Sequence, residues 1–193
     1  MEINKTKFPE IKREYLETLQ INIGYKCNQA CSHCHVDASP SRTEMMSDNI
    51  IKIIPKVIKA NNIKLLDITG GAPELHPKFK QLVKEVRSLN VEVMDRCNLT
   101  ILTEPGHENL ASFLASNKVQ ITASLPCYLK ENVDKQRGRG VFEKSILALK
   151  QLNSYGYGIK NKGLILNLVF NPSNPQLPPS QKELEDKYRS ELQ

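Results

Sequence analysis

The sequence predicts an α/β fold, a parallel sheet or partial barrel, and three observations carry that expectation. Short strand-like runs alternate with longer stretches of helical periodicity between residues 19 and 170. Five such units fit in that interval, close to the roughly 30 residues that one βα step takes. At 193 residues and 39% apolar content, the chain can bury the core of one large domain.

The elements follow in order. Leu19, Ile21 and Ile23 alternate with polar residues and run into Gly24, as a strand entering a loop should. Ser47 then suits the N-cap of a helix carrying Ile50, Ile51, Ile54, Val57 and Ile58, and Pro55 is expected to kink or shorten it. A second strand covers residues 64–69 and stops at Gly70-Gly71. Pro77 suits a first helical turn, with Phe79, Leu82, Val83, Val86 and Leu89 on one face. Strands at 91–95, 119–125 and 164–170 and helices at 108–116 and 142–154 complete the alternation. Four prolines within residues 171–179 mark a linker. Leu184, Tyr188 and Leu192 recur beyond it at helical spacing, with no later element to cover their stripe. The chain therefore divides into a core, 1–170, and a linker with the start of a truncated C-terminal region, 171–193.

Charge is ordinary. The 27 basic and 21 acidic residues leave a net +6, which suits anionic ligands without concentrating into a polybasic tail, so nucleic acid is not demanded. Residues 1–13 hold no apolar signal core, and no run approaches the roughly 18 to 20 apolar residues that span a bilayer. A cytoplasmic chain without membrane contact is expected. Five cysteines, three of them within eight positions, argue against a disulfide framework and for metal or redox chemistry in a reducing compartment.

Those three are Cys27, Cys31 and Cys34, spaced C-x3-C-x2-C directly after the first strand. A [4Fe–4S] cluster normally takes four thiolates, so three leave one iron open to a substrate or cofactor. A zinc knuckle with His33 or His35 as fourth ligand draws on the same residues.

This spacing after a first strand, followed by a Gly-Gly loop after the second, resembles the radical S-adenosylmethionine (SAM) superfamily over residues 19–170. The resemblance implies a six-unit partial barrel of (β/α)6 type with the last unit missing. It also implies a [4Fe–4S] cluster on Cys27, Cys31 and Cys34 whose open iron chelates SAM, and reductive cleavage of SAM to methionine and a 5′-deoxyadenosyl radical. A low-potential donor such as flavodoxin or ferredoxin would supply the electron. Carried over residue by residue, Gly70 and Gly71 match the Gly-Gly-Glu loop that approaches the SAM amino group, with Ala72 in the glutamate's place and the acid two positions later as Glu74. Asn98 matches the third-strand asparagine, Ser124 and Arg137 the pair that grips the SAM carboxylate, and His33 the usually aromatic residue beside the adenine.

Longer words narrow the resemblance. Cys31-Ser32-His33-Cys34-His35-Val36-Asp37-Ala38, Thr69-Gly70-Gly71-Ala72-Pro73-Glu74-Leu75, Asp95-Arg96-Cys97-Asn98-Leu99-Thr100 and Ser124-Leu125-Pro126-Cys127-Tyr128 are similar to the arsenosugar-biosynthesis radical SAM proteins. That likeness implies transfer of the 5′-deoxyadenosyl group to a methylated arsenic(III) species, a small-molecule substrate. Cys97 and Cys127 follow the third and fourth strands, at the rim where parallel barrels place their chemistry, and soft thiolates suit trivalent arsenic. Simple packing, a disulfide or a second cluster are the other uses of that pair. A peptide maturase and a non-catalytic Fe–S carrier are the competing functions.

Overall fold

Strands β1 (Thr18–Asn22), β2 (Leu65–Thr69), β3 (Glu92–Asp95), β4 (Gln120–Ser124) and β5 (Leu166–Val169) form one sheet in that order, each neighbour parallel to the next. The computed structural model describes residues 9–12, 14–172 and 177–192. Spatial order equal to chain order means that every crossover steps one strand in the same direction, the winding that curves a parallel sheet into a barrel wall. The fold class is that expected from the sequence. Residues 1–8 and 173–176 lie outside the described residues, so part of the proposed linker does too.

Helices α1 (Asp48–Ala60), α2 (Phe79–Ser88), α3 (Leu110–Ser116), α4 (Lys130–Arg137), α5 (Val141–Ser154) and α6 (Gln181–Glu191) fill the connections. Pro55 lies inside α1 without shortening it. Ile51, Ile54 and Ile58 are buried along that helix, and burying each such side chain is worth about 1.5–3 kcal/mol, enough to offset one missing backbone bond. Pro77 falls short of the first turn it was expected to start, because α2 begins at Phe79 after an N-cap at Lys78.

The register sorts side chains onto two faces. Ile68 of β2, Asp95 of β3 and Ile121 of β4 are neighbours in one row, in the buried layer that also holds Leu66 and Val93. Gln20 pairs with Asp67 and Asn22 with Thr69 in the alternate rows, and these face the barrel lumen together with Thr122 and Ser124.

Helix α4 was not expected. Its apolar signal is confined to Val133, and it is held instead by Asp134, whose carboxylate accepts from the backbone of Gly140 and Phe142 at 2.9 and 3.0 Å. The stripe of α6 is better covered than the sequence suggests. Leu184, Tyr188 and Leu192 face Leu166, Leu168 and Phe170 across a groove of about 560 Å³, and Tyr188 donates its hydroxyl to the Leu125 carbonyl at 2.5 Å. Its ring stands edge-on to Tyr128, 5.5 Å between centroids. A reciprocal capping box between Ser180 and Glu183 starts this helix.

Candidate cofactor site

The loop leaving β1 is laced to the loop leaving β2. Gly71 donates its backbone N–H to the Gly24 carbonyl and Ala72 donates to Lys26, both at 2.9 Å, so the β1–β2 pairing continues into the cysteine segment. Side chains have no room there. A Cβ on Gly70 would collide with the Gly24 carbonyl and one on Gly71 with the Lys26 carbonyl, while Cys27 Cβ stands only 3.0 Å from the position at Gly71. The glycines are thus required by close approach of one backbone to another. The loop itself turns at Cys31–Cys34, where the Cys34 N–H donates to the Cys31 carbonyl at 3.1 Å, and the Ala38 N–H donates to the Cys34 sulfur at 3.3 Å.

A polar network braces this loop from beneath. Arg137, buried at the end of α4, donates through one terminal nitrogen to Gln29 Oε1 at 2.8 Å and to Asn98 Oδ1 at 2.6 Å. Asn98 in turn donates to Asn28 Oδ1 at 2.6 Å and to the Cys27 sulfur at 3.6 Å. Gln29 donates to the Thr100 hydroxyl at 3.0 Å. Arg137 Nε is buried and has no partner. It is a ready donor for an anion, and guanidinium is the group best shaped for a carboxylate. Burial pushes the Cys27 thiol up, against hydrogen bonds from the Gln29 backbone and Asn98; burial also raises Cys31, and there the Arg137 charge opposes it. The His33 imidazole is pushed down, first by burial and then by Arg137.

Cys27, Cys31 and Cys34 line one cavity of about 360 Å³, within the size range of small-molecule sites, together with His33, Gly70, Gly71, Asn98, Ser124 and Arg137. Two guanidiniums, Arg96 and Arg137, reach its wall, and no carboxylate does. His35 lines it as well. Ala72 does not: it is buried behind the loop against Lys26, where its N–H is already used. His76 is a buried tie that accepts from the Lys78 N–H at 3.0 Å and reaches the Met46 carbonyl at 2.9 Å.

Cys97 and Cys127 are not brought to this cavity, nor into one shared wall. Cys97 is fully buried, with Glu74 and Asp95 beside it. Burial pushes the Glu74 and Asp95 carboxyls and the Cys97 thiol upward, and the negative neighbours add to the rise at Asp95 and Cys97. Cys127 lines a separate cavity of about 340 Å³ with Phe170, Leu177 and Pro179, and its sulfur accepts from Asn132 Nδ2 at 3.4 Å and the Leu129 N–H at 3.5 Å.

Several contributors escaped the sequence reading. Asn28 and Gln29 lie between the first two loop cysteines, Arg96 and Thr100 within a word quoted above and Gln20 on the first strand, but a lone amide or hydroxyl carries no spacing signal. Only the approach of α4 and of the turn after β3 to the cysteine loop reveals them.

A zinc ion with bonds of about 2.3 Å draws its thiolates to within about 3.8 Å of one another. Among the described residues no group of three ligands drawn from Cys27, Cys31, Cys34, His33 and His35 gathers its atoms within 4.8 Å. Three thiols around one cavity are the donors an iron–sulfur cluster takes, and the free Arg137 donor suits a carboxylate-bearing ligand beside it. Among the described residues no helix is long and apolar enough to cross a membrane.

Comparisons with known proteins agree with this geometry. The model of the radical SAM superfamily matches residues 21–172, and enzymes of that superfamily use a [4Fe–4S] cluster and SAM. The chain is 29% identical over 133 residues to the mycofactocin maturase MftC of Mycolicibacterium smegmatis, 69% of this chain and 33% of that protein. It is 26% identical over 160 residues to a probable GTP 3′,8-cyclase of Saccharolobus solfataricus, 82% and 49% of the two chains. The crystal structure of Streptococcus suis SuiB bound to S-adenosylmethionine superposes with a TM-score of 0.67 at 14% identity, over 92% of this chain and 37% of that one. The chain thus spans a third to a half of the length of these relatives. A match over that much of the sequence, on the same alternating strands and the same cysteine loop, places the chain in the radical SAM superfamily.

Proposed function

We propose that this chain cleaves SAM reductively and transfers the 5′-deoxyadenosyl group to a methylated arsenic(III) species. The observation that carries the SAM half is the buried, unpartnered Nε of Arg137 on the same cavity wall as the three thiols. Cys27, Cys31 and Cys34 hold the cluster, and Arg137 takes the SAM carboxylate with Ser124 nearby. The Gly70 and Gly71 backbone meets the amino group, Asn98 fixes both Arg137 and the Cys27 sulfur, and His33 flanks the adenine. A cluster held there would supply the single electron, drawn from a flavodoxin or ferredoxin, for reductive cleavage of SAM.

Arsenic as acceptor rests on the arsenosugar-type words of the sequence, while Cys97 and Cys127, which do not line the cofactor cavity, fit packing better than capture of that substrate. In the balanced reaction the arsenic lone pair becomes the carbon–arsenic bond, methionine leaves with the electrons of the carbon–sulfur bond, and an arsenous hydroxyl gives up its proton. Arsenic ends two electrons more oxidised, and the electron lent at the start is returned. The second reading is a peptide-modifying enzyme, favoured by the likeness to MftC.

One experiment separates these functions. Anaerobic turnover of the reconstituted chain with reductant, SAM and dimethylated arsenic(III) should yield a mass equal to 5′-deoxyadenosyl plus the dimethylarsenic group and one oxygen. Release of 5′-deoxyadenosine without that mass points to another acceptor, a peptide first. Absence of both 5′-deoxyadenosine and that mass would reduce the chain to an Fe–S carrier.

A further inference from the structure

Five buried side-chain atoms among the described residues lack a hydrogen-bond partner, and four of them are the carboxylate oxygens of Glu74 and Asp95. Glu74 lies in the 3₁₀ turn Pro73–Leu75 that follows the Gly-Gly loop, and Asp95 ends β3. Cys97 stands two residues beyond. One ligand atom from each of the three lies within 4.8 Å of the other two. Asp95 and Cys97 are 0% exposed and Glu74 8%. The register sets Asp95 between Ile68 and Ile121, in an apolar layer.

Among the described residues no Lys, Arg or His nitrogen comes within 4.0 Å of either carboxylate. Arg96 is spent on Asp67 at 2.8 Å, Arg137 on Gln29 and Asn98, and the Tyr157 hydroxyl on the Val119 carbonyl at 2.7 Å. Three groups able to carry negative charge therefore converge out of water with no cation in contact among the described residues, His107 and Arg137 acting on them only from a distance. Only protons shared among them or a cation can link them.

We propose that Glu74, Asp95 and Cys97 form a closed binding site for one divalent cation, zinc by preference, separate from the three-thiol loop. Two carboxylate oxygens and a thiolate make a zinc donor set, and the sulfur disfavours magnesium and calcium, which take oxygen. One carboxylate binding through both oxygens completes four donors. Full burial marks a structural ion, with no open position for chemistry. It fastens the turn after β2 to the end of β3, directly behind the loop that carries Cys27, and its binding releases the protons these groups otherwise hold.

Metal content tests this directly. The cluster-loaded chain, purified anaerobically, should contain about one zinc besides its cluster iron. The zinc should stay when Cys27, Cys31 and Cys34 are all replaced by alanine, a change that removes the cluster. Asp95→Asn should keep the iron and weaken zinc by at least about tenfold, since even a partner one step removed from a metal is worth roughly 10- to 100-fold in affinity. Cobalt in place of zinc should show a sulfur-to-cobalt charge-transfer band that Cys97→Ser abolishes, a readout that stands even if Asp95→Asn does not fold. Zinc that disappears with the three loop cysteines and survives Asp95→Asn, or a folded parent chain that takes up neither zinc nor cobalt at this site, would overturn the proposal in favour of shared protons.

Discussion

Asp67 and Asp95 lie on adjacent strands, are both buried, and face opposite sides of the sheet. Asp67 looks into the lumen, where Gln20 Nε2 donates to it at 2.6 Å and Arg96 grips it through Nε at 2.9 Å and a terminal nitrogen at 2.8 Å. Asp95 looks into the helix-facing layer and meets Glu74 and Cys97 instead of a cation. The lumen carries its own counter-charge within the chain. The helix-facing layer does not, and that difference is why an ion is inferred behind the sheet and not beside Asp67.

Four changes break or sharpen this contrast. Arg96→Leu strands Asp67 without its cation. Breaking a buried pair costs about 3–5 kcal/mol, and the lower end is expected here because the Arg96 side chain is 42% exposed. Urea unfolding measures it, and a loss near zero would mean that lumen water serves Asp67 as well as arginine does. Chelation comes next. In the variant lacking the three loop cysteines, removing divalent ions should lower unfolding free energy by about 2–3 kcal/mol, the stabilisation a ligand gives at roughly 100 times its Kd. Asp95→Asn in the same background should show no chelator response, and an equal response in both would detach the ion from this layer.

Arg137→Ala tests the lumen in its binding role. A charge-assisted contact of about 1.5–3 kcal/mol corresponds to roughly ten- to a hundredfold weaker SAM binding, read by calorimetry, with the cluster absorbance unchanged. Unaltered affinity would leave Arg137 as a brace for Gln29 and Asn98 alone. The smallest effect is expected for Tyr157→Phe, which removes a satisfied polar contact from the helix-facing layer by leaving the Val119 carbonyl without its donor. About 1 kcal/mol should be lost in urea unfolding. A cost several times larger would show that Tyr157 also serves the neighbouring triad.

The strands and most helices were legible because apolar spacing is a local property, and the sheet's helix-facing rows repeat it faithfully. Helix α4 was not, since Asp134 and Gly138 hold it through backbone contacts that no periodicity records. The cysteine loop announced itself by spacing, and Arg137 by its resemblance to the superfamily's carboxylate-gripping arginine. The relation of Glu74 to Cys97 was invisible: they stand 23 positions apart, and only parallel pairing of β2 with β3 brings the two strand ends side by side. Cys97 and Cys127 illustrate the reverse. Equivalent positions after neighbouring strands suggested one shared site, yet Cys97 still pairs with β4 and lies buried beside Glu74, whereas Cys127 lines a cavity with Asn132 of α4 and the prolines.

The hydrogen bonds from Gly71 to Gly24 and from Ala72 to Lys26 also have a temporal meaning. They are the last rungs of the β1–β2 ladder, and the cysteine segment hangs from them. The setting of its thiols depends on a pairing that closes across some forty intervening residues, α1 among them. Opening that pairing should release the inorganic centre, so loss of cluster absorbance during slow denaturation would time the opening of this half of the sheet.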